Sequence, residues 1–368
     1  MAEVDRFAEI RPYNDDEVAG AIDRLIQDDE FIGAIARYRF GNLVCWLGWA
    51  IRPFIRLVLR RKWAGVNTVH QVQLGVTRYM ERMIAGTTHG VTFSGLEHLE
   101  PGKGYLFISN HRDIAMDPAF VNWGLFKNGF DTVRIAIGDN LLRKPCATEL
   151  MRLNKSFIVK RSAKGPREMM KAFGDLSAYI GESLASGHSI WIAQKEGRAK
   201  DGDDRTDPAI LKMFYMEGKK QKLEFADYMR RLNIVPVSIS YECDPTDMAK
   251  ARELYEKAHT GRYEKGEFED IESIVAGIVG QKGRVHVAFG EPLREGFHGP
   301  DELAELIDHA IWRHYRLFPN NHLAAGDGEP VGQVERQEFE ARLAQVPEAH
   351  REIWRAMYAR PVENLKKI

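Results

Sequence analysis

The stretch YLFISNHRDIAMDPAFVNW, residues 105–123, joins a short apolar run to a group of polar and charged residues. Its apolar run, residues 105–108, follows the turn residues PGKG and is typical of a short buried strand. The polar side chains of His111, Asp113 and Asp117 come soon after that run. An imidazole with a carboxylate just beyond a strand end is typical of general-base chemistry, in which the acid orients the ring and stabilises its charged form.

The same stretch also allows a purely structural interpretation. Pro118 is a helix-start signal, because proline is well tolerated at the first helical position. Asp117 would then be only the N-cap of that helix, and His111 would be a polar loop residue. The stretch alone does not decide between the two interpretations.

Length, charge and cysteine content narrow the class of protein. A chain of 368 residues fits one large domain with extensions. The formal net charge of −1 lacks the basic surplus of bulk nucleic-acid binding, so nucleic acid is not expected as a partner. Three widely spaced cysteines, Cys45, Cys146 and Cys243, predict neither a disulfide framework nor a zinc site and indicate a reducing compartment. The acidic, polar first residues do not resemble a secretory signal.

Residues 1–88 are predicted to form an N-terminal helical region that associates with a membrane. Apolar residues recur at helical spacing over residues 15–40, and the uninterrupted apolar run of residues 43–51 is too short to span a bilayer, which takes roughly 20 residues. In residues 43–62, arginines at a spacing of four face an apolar stripe: Arg52, Arg56 and Arg60 against Ile51, Phe54, Ile55, Val58 and Leu59. This pattern favours a helix lying in the membrane interface. The alternative is an ordinary helix packed on the protein with its arginines in water.

Residues 89–320 are predicted to form an α/β domain with a central, largely parallel sheet flanked by helices. Short β-rich runs alternate there with helical segments. The predicted strands are VTFSG, YLFIS, VRIAIG (133–138), FIVK (157–160), SIWIA (189–193), IVPVSIS (234–240) and RVHVAFG (284–290). The predicted helices lie near 118–127, 166–186, 208–216, 223–231, 246–258, 269–280 and 300–316. Residues 321–368 are predicted to be a helical C-terminal extension.

Charged residues follow three of the predicted strands. Ligands of open α/β sheets gather beyond the carboxyl ends of the strands, so these residues are candidates for one site. They are His111 with its acids, Lys160-Arg161 after FIV, and Glu196-Gly197-Arg198 after SIWIA. Arginine forks and a helix N-terminus suit a phosphate, held beside an imidazole base. Solvated charged loops are the alternative interpretation of both cationic segments.

The set of strand-end motifs resembles the glycerophospholipid acyltransferase family, the glycerol-3-phosphate and lysophosphatidate acyltransferases with a PlsC-type domain. Four sequence blocks of that family occur in the same order, over about residues 89–320. They are Asn110-His111 with Asp117, the run Phe157-Ile158-Val159-Lys160-Arg161, the run Glu196-Gly197-Arg198, and the strand IVPVSISYE with Pro236 at its centre.

Two blocks depart from the family pattern. Five residues separate His111 from Asp117, whereas the family motif is H-x4-D, so Asp113 also lies within reach as the orienting acid. The third block, usually E-G-x-R, lacks the residue between Gly197 and the arginine, so Lys200 is an alternative cation.

The resemblance implies acyl transfer from acyl-CoA or acyl-carrier protein to a hydroxyl of glycerol-3-phosphate or a lysophospholipid. His111 would deprotonate that hydroxyl while Asp117 holds the imidazole, and no metal or cofactor is required. Lys160, Arg161 and the third block would bind the acceptor phosphate. The expected place is the cytoplasmic face of a membrane, as a peripheral protein.

Two other functions are compatible with the sequence. A metal-dependent phosphoesterase would use His111, Asp113 and Asp117 together with further ligands. A lipid-binding scaffold would keep the acyltransferase-like domain without its activity. The sequence contains no G-x-S-x-G elbow, so a serine nucleophile is not expected.

Overall fold

The computed structural model describes residues 5–266 and 268–368. The chain divides into two compact units. Unit 1 takes the residues up to Tyr79 together with Arg134–Leu176. Unit 2 takes Met80–Val133 and Ser177–Ile368 and therefore contains residues 105–123 with His111 and Asp117. The domain boundaries drawn from the sequence, at residues 88 and 320, stay a prediction.

Strands and helices alternate along the middle of the chain, which confirms the predicted α/β class. The described residues form seven strands: β1 (Val91–Ser94), β2 (Leu106–Ser109), β3 (Arg134–Gly138), β4 (Ser156–Val159), β5 (Ile190–Ala193), β6 (Ile234–Tyr241) and β7 (Val285–Phe289). They also form these α-helices: α1 (Asp15–Gln27), α2 (Asp29–Phe40), α3 (Val44–Lys62), α4 (Val69–Thr87), α5 (Met116–Lys127), α6 (Pro145–Leu153), α7 (Pro166–Ala185), α8 (Pro208–Lys220), α9 (Phe225–Arg231), α10 (Asp247–Thr260), α11 (Glu269–Val279), α12 (Pro300–His314), α13 (Pro319–Ala325), α14 (Gln333–Gln345) and α15 (Arg351–Leu365).

The sheet of unit 2 is mostly parallel, as predicted. Its five strands lie in the order β1-β7-β6-β2-β5, and only the β6–β7 pair within it is antiparallel. β2 lies between β5 and β6, where Ile108 is in register with Ile192 and Pro236. All four residues of β2 and all eight of β6 are buried. Their mostly apolar sequence is typical of strands covered on both faces, so buried and exposed residues do not alternate along them.

Unit 1 contains the parallel pair β3–β4 and the first helices. Asn14 and Glu17 form a capping box that starts α1, and the apolar face of that helix is buried. Cys146 and Leu153 of α6 belong to the same hydrophobic core. The amphipathic helix predicted over residues 15–40 is present and is divided at Asp28 into α1 and α2. Helix α6 was not predicted from the sequence. That helix has nine residues and buries only these two, so its pattern extends over little more than two turns.

The faces of α3 differ from the predicted ones. Ile55 is buried in a small core with α2, and Ile51 and Leu59 pack against that core, so part of the predicted membrane stripe faces protein. Arg56 forms an ion pair of 2.7 Å with Asp29 instead of reaching outwards. The large apolar side chains that remain exposed on α3 are Trp46, Leu47, Trp49, Phe54, Leu57 and Val58. The predicted amphipathic N-terminal helix is confirmed, but the apolar face that it exposes is narrower than the predicted stripe.

The C-terminal helices complete a second core in unit 2. Trp354 of α15 and Phe339 of α14 pack with Ala251 of α10, and Trp354 is fully buried. Arg342 donates a 2.9 Å hydrogen bond to Asp247 at the start of α10. The predicted helical extension over residues 321–368 is therefore packed on the α/β domain.

Candidate active site

His111 and Asp117 are joined by a hydrogen bond at the carboxyl end of β2. The chain leaves β2 at Ser109 and starts α5 at Met116, and His111 lies in the connection. Its Nδ1 atom is 2.8 Å from Asp117 Oδ2. The Asp117 side chain is fully buried, whereas 13% of the His111 side chain is exposed. The longer spacing between the two residues therefore does not prevent the pair from forming.

Donors surround both oxygens of the Asp117 carboxylate. Oδ2 accepts the backbone N–H of Arg112 at 2.6 Å and that of Asp113 at 2.9 Å, besides the contact with His111. Oδ1 accepts the hydroxyl of Tyr241, the last residue of β6, at 2.7 Å. A carboxylate with four donors has one orientation, so the ring that it contacts is also fixed. Burial, and after it the charge of Asp117, raises the pKa of Tyr241 well above its usual value.

Asp113, and not Asp117, satisfies the backbone at the start of α5. Asp113 Oδ1 accepts the N–H groups of Ala115 at 2.9 Å and of Met116 at 2.8 Å, which is the action of a capping residue. Its Oδ2 atom is buried and has no hydrogen-bond partner in the described part of the chain. Burial, and after it the Asp117 charge, raises the pKa of the Asp113 carboxyl. The backbone N–H groups at the start of α5 are thus satisfied by Asp113, which precedes the N-cap residue Ala115.

A buried polar network fixes the loop behind the histidine. Arg112 Nη2 donates to Asp204 Oδ2 at 2.6 Å, and Asn110 Nδ2 donates to the same oxygen at 3.2 Å. Asn110 also exchanges two hydrogen bonds with the backbone of Ile239 in β6, at 2.8 Å and 3.0 Å. Burial raises the pKa of Asp204, although Arg112 acts in the opposite direction. The asparagine beside the histidine therefore ties the loop to the sheet.

Trp191 of β5 contacts the imidazole from the side. The ring centroids of His111 and Trp191 are 5.7 Å apart in an edge-to-face arrangement. The indole N–H of Trp191 donates to Ser109 Oγ at 3.0 Å, which fixes the indole plane. The histidine is thus held by a carboxylate on Nδ1 and by an aromatic wall.

The third block lies beside the histidine loop. Gly197 has a φ of 77°, a left-handed conformation that favours glycine, so the turn depends on this residue type. The backbone N–H of Ala199 donates to the carbonyl of His111 at 2.9 Å, which places Arg198 one residue away. Arg198 Nη1 donates to Ser273 Oγ of α11 at 2.6 Å. Glu196 and Gly197 are exposed.

Lys200, the alternative cation of the third block, is already in an ion pair. Its ammonium contacts the carboxylate of Glu253 in α10, and Lys257 contacts the same carboxylate at 2.6 Å. Burial lowers the pKa of Lys200. Arg198, whose guanidinium donates to a neutral hydroxyl, is therefore the better placed of the two to bind an anion.

The second block lies in unit 1, after β4. Lys160 and Arg161 are exposed, and the Lys160 ammonium forms an ion pair with Glu9. The backbone N–H of Arg161 donates to Asp139 Oδ1 at 3.1 Å. A Cβ at Gly138 would lie 3.0 Å from Arg161 Nε, so the absent side chain at the end of β3 leaves room for this guanidinium. The roles of these two cations as phosphate ligands stay a prediction.

Three residues of the site were not identified from the sequence: Asp204, Trp191 and Tyr241 as a partner of Asp117. Tyr241 is 124 residues from Asp117, and Asp204 is 92 residues from Arg112. Trp191 and Tyr241 lie in or at the end of predicted strands, so their strand-end position was visible but their partner was not. Asp204 lies in an irregular segment where no periodic pattern marks it.

The described residues contain no group of three or more His, Cys, Asp or Glu side chains that could hold a metal ion. Around His111 the charged neighbours include the cations Arg112 and Arg198 as well as two carboxylates. The absence of a cofactor stays a prediction.

Part of the chain is similar to known acyltransferases. Residues 90–240 match the family model described as Acyltransferase. The glycerol-3-phosphate acyltransferases of Pseudomonas syringae pv. tomato and Pseudomonas fluorescens SBW25 are each 25% identical, over 231 and 232 residues. Each match covers 61% of this chain and 25% of the relative, so the chain spans about a quarter of the length of these relatives.

A solved structure is also similar, that of the 1-acyl-sn-glycerophosphate (LPA) acyltransferase PlsC from Thermotoga maritima. The sequence identity is 15% and the TM-score 0.38, over 80% of this chain and 94% of that one. The domain at residues 90–240 is thus similar to the acyltransferase family, and the chain is a distant homologue of glycerol-3-phosphate acyltransferases.

Proposed function

We propose that the protein transfers a fatty acyl group from a thioester, acyl-CoA or acyl-carrier protein, to a hydroxyl of glycerol-3-phosphate or a lysophospholipid. The observation that carries the proposal is the 2.8 Å contact between His111 Nδ1 and the buried Asp117 carboxylate. A carboxylate on Nδ1 favours the tautomer with its proton there, so that Nε2 keeps a free electron pair. That nitrogen is then available as a general base.

The proposed reaction needs no covalent acyl-enzyme. His111 Nε2 accepts the proton of the acceptor hydroxyl, and the oxygen attacks the carbonyl carbon of the thioester. The tetrahedral intermediate collapses by breaking the C–S bond, and the imidazolium returns the proton to the departing thiolate. Asp117 stabilises the imidazolium while it exists, as the acid of a serine-protease triad does. The four donors on that carboxylate keep it in place throughout.

We propose that the acceptor phosphate is bound by the cations of the second and third blocks. Arg161 and Arg198 present planar guanidinium groups, which match the geometry of phosphate oxygens, and Lys160 adds a point charge. Glu196 would orient an arginine or the acceptor at the exposed turn that Gly197 makes possible. The contact of Ala199 with the His111 carbonyl supports the third block as the part nearest to the chemistry.

We propose a peripheral location at the cytoplasmic face of a membrane. The helical run Asp29–Lys62 is long and apolar enough to cross a bilayer by length and composition, and 6% of its apolar window is buried. The ion pair between Arg56 and Asp29 ties α3 to α2, which supports a pair of helices lying on the surface over a single span. The exposed Trp46 and Trp49 suit the headgroup region.

Turnover with a panel of acceptors tests the proposed function. Purified protein receives a long-chain acyl-CoA with glycerol-3-phosphate, a lysophosphatidate or the matching unphosphorylated glycerolipid, and released thiol and acylated product are measured. Acyl transfer that depends on a phosphorylated acceptor and persists in excess chelator supports the proposal. Phosphate release that the chelator stops would instead indicate the metal-dependent phosphoesterase. Vesicle binding without turnover on any acceptor would indicate the lipid-binding scaffold.

A further inference from the structure

Helix α11 has its polar and small residues inside and its apolar residues outside. Five apolar side chains in and directly before the helix are exposed by between 41% and 55%: Phe268, Ile271, Val275, Ile278 and Val279. Their spacing places them along one stripe of the helix. The opposite side carries Gly277, which is buried, and Ser273. A surface helix of a soluble domain normally has the reverse arrangement, because exposed apolar surface costs free energy.

The inner side of α11 packs on the histidine loop. A Cβ at Gly277 would lie 2.0 Å from Asp113 Oδ2, so the helix approaches that loop as closely as glycine permits. Four residues earlier, Ser273 accepts the hydrogen bond of Arg198. Asp113 lies in the same loop as the proposed base His111, and Arg198 is proposed to bind the acceptor phosphate. The exposed stripe is therefore the outer surface of an element that lines the proposed site.

The end of α11 is fixed by a buried lysine. Lys282 is fully buried and donates to the carbonyl of Gly280 at 2.8 Å, to that of Ile278 at 3.3 Å, and to Thr87 Oγ1 at 3.0 Å. Burial lowers its pKa to about 8. Lys282 therefore ties the C-terminal end of α11 to Thr87 at the end of α4.

The chemistry of the stripe matches a lipid surface better than a protein. It contains no charged side chain; of the acids on the helix, Asp270 is bonded to Lys265 and Glu269 to the Tyr263 hydroxyl, and Glu272 lies exposed at the edge of the stripe. Five half-exposed side chains offer well under the roughly 800 Å² that each partner of a stable protein complex buries. A bilayer interface needs no such area or shape match, and helices of this kind enter it by about 5–10 Å.

We infer that the apolar stripe of α11 docks the catalytic unit onto the bilayer, so that a membrane-resident glycerolipid reaches His111 directly from the lipid phase. The inference rests on the proposed function for the identity of that lipid. The stripe adds a membrane contact close to the histidine loop, in unit 2, whereas α3 belongs to unit 1. A helix of eleven residues is about 16 Å long, which suffices to lie in the interface and is too short to cross it.

An environment-sensitive fluorophore placed on the stripe tests the docking. The label is attached at Val275→Cys in the Cys45→Ser background, since Cys45 is the exposed native thiol among the described residues. The matched control carries the label at Lys219→Cys, an exposed position of α8. Vesicles of phosphatidylcholine and phosphatidylglycerol should shift the emission of the label at residue 275 to shorter wavelength and leave that at residue 219 unchanged.

Three results would overturn the inference. They are an unchanged spectrum at residue 275 while the protein sediments with the vesicles, a shift without vesicles that grows with protein concentration, and a shift on adding acyl-CoA alone. The second would indicate a second copy of the chain as the occupant, and the third the acyl chain of the donor. None of these readings depends on turnover, so an inactive protein would refute the proposed function and still report on docking.

Turnover then links the stripe to the reaction. The double variant Ile271→Asp with Val275→Asp should lower acyl transfer to a lysophospholipid embedded in vesicles severalfold more than transfer to water-soluble glycerol-3-phosphate. Glu272→Gln, on the same helix beside the stripe, should leave both rates unchanged. Circular dichroism and melting temperature confirm that the variants are folded. Equal losses on both acceptors would contradict a docking role.

Discussion

The loops after β2 and after β4 look alike in sequence and differ in structure. Each follows a short apolar strand, and each supplies charged residues to the proposed reaction. In the loop after β2, Asn110, Asp113 and Asp117 are almost fully buried, and donors surround the Asp117 carboxylate. In the loop after β4, Lys160 and Arg161 are exposed, and Lys160 is paired with a surface acid.

This difference follows from what each loop is proposed to do. A base that moves a proton needs one orientation, and only a desolvated, hydrogen-bonded partner fixes the imidazole that strictly. A cation that binds a charged substrate has to meet it at the surface, and an exposed ion pair with a median value of about 0–1 kcal/mol is easily exchanged for a phosphate. The following predictions test whether the two loops divide the work in this way.

The largest expected effect is the difference in lost activity between variants of the two carboxylates in the loop after β2. Asp117→Asn replaces an oxygen with an NH₂ group among donors, so it should lower kcat on the order of 10²- to 10⁴-fold. The lost hydrogen bonds in a buried place should also cost about 1–3 kcal/mol of unfolding free energy. Asp113→Asn is the matched variant and should cost much less activity, because asparagine caps a helix about as well as aspartate. Steady-state kinetics of both, below their melting temperatures, measure the ratio.

Equal losses in the two variants, or a larger loss in Asp113→Asn, would contradict the pairing seen in the structure. The catalytic pair would then involve Asp113, whose Oδ2 is buried beside Gly277.

A substitution in the exposed loop after β4 should weaken binding of the acceptor and leave the chemical step unchanged. Arg161→Ala should raise the KM for a phosphorylated acceptor about 10- to 100-fold, because a hydrogen bond to a charged group contributes about 1.5–3 kcal/mol. The KM for the acyl donor and kcat should change little. Lys164→Ala, an exposed cation of the same loop, is the control and should leave the acceptor KM near its original value. An equal rise for a phosphorylated and an unphosphorylated acceptor would exclude a phosphate role.

The tyrosine at the end of β6 should have the smallest effect of the three. Tyr241→Phe removes one of the four donors to Asp117, worth about 1 kcal/mol, so kcat should fall about fivefold while the acceptor KM stays unchanged. Tyr358→Phe is a matched control, since Tyr358 donates to buried Asp247 at 2.8 Å in the C-terminal core. It should lower the melting temperature without changing kcat. A kcat of Tyr241→Phe equal to that of the native protein would show that Asp117 is fixed without it.

The sequence predicted what is local and missed what the fold assembles. His111 and Asp117 lie in one loop, so a strand end and a spacing were enough to predict their meeting. Asp204 and Tyr241 reach the same loop from distant parts of the chain, and only the strand pairing brings them there. No periodicity encodes such a contact, because it depends on which strands become neighbours.

For the helices, too, local features were predicted from the sequence and contacts made by the fold were not. The strong apolar periodicity of α1 predicted its buried face, whereas α3 was predicted to turn one undivided stripe to the membrane. In the structure Ile55 is buried and Phe54 is exposed, because α2 covers half of the stripe. Helix α11 was predicted within one residue of its observed end, but its orientation depends on Gly277 and Lys282 and was not predicted.

The central claim, that His111 is the base for acyl transfer, is tested most directly by acceptor-dependent thiol release from acyl-CoA in the native protein and in His111→Ala. The residue lies in a loop and 13% of its side chain is exposed, so the variant should fold and melt as the native protein does. If His111 is the base, turnover should fall on the order of 10²- to 10⁴-fold in a folded variant. Near-native turnover of His111→Ala would contradict that role.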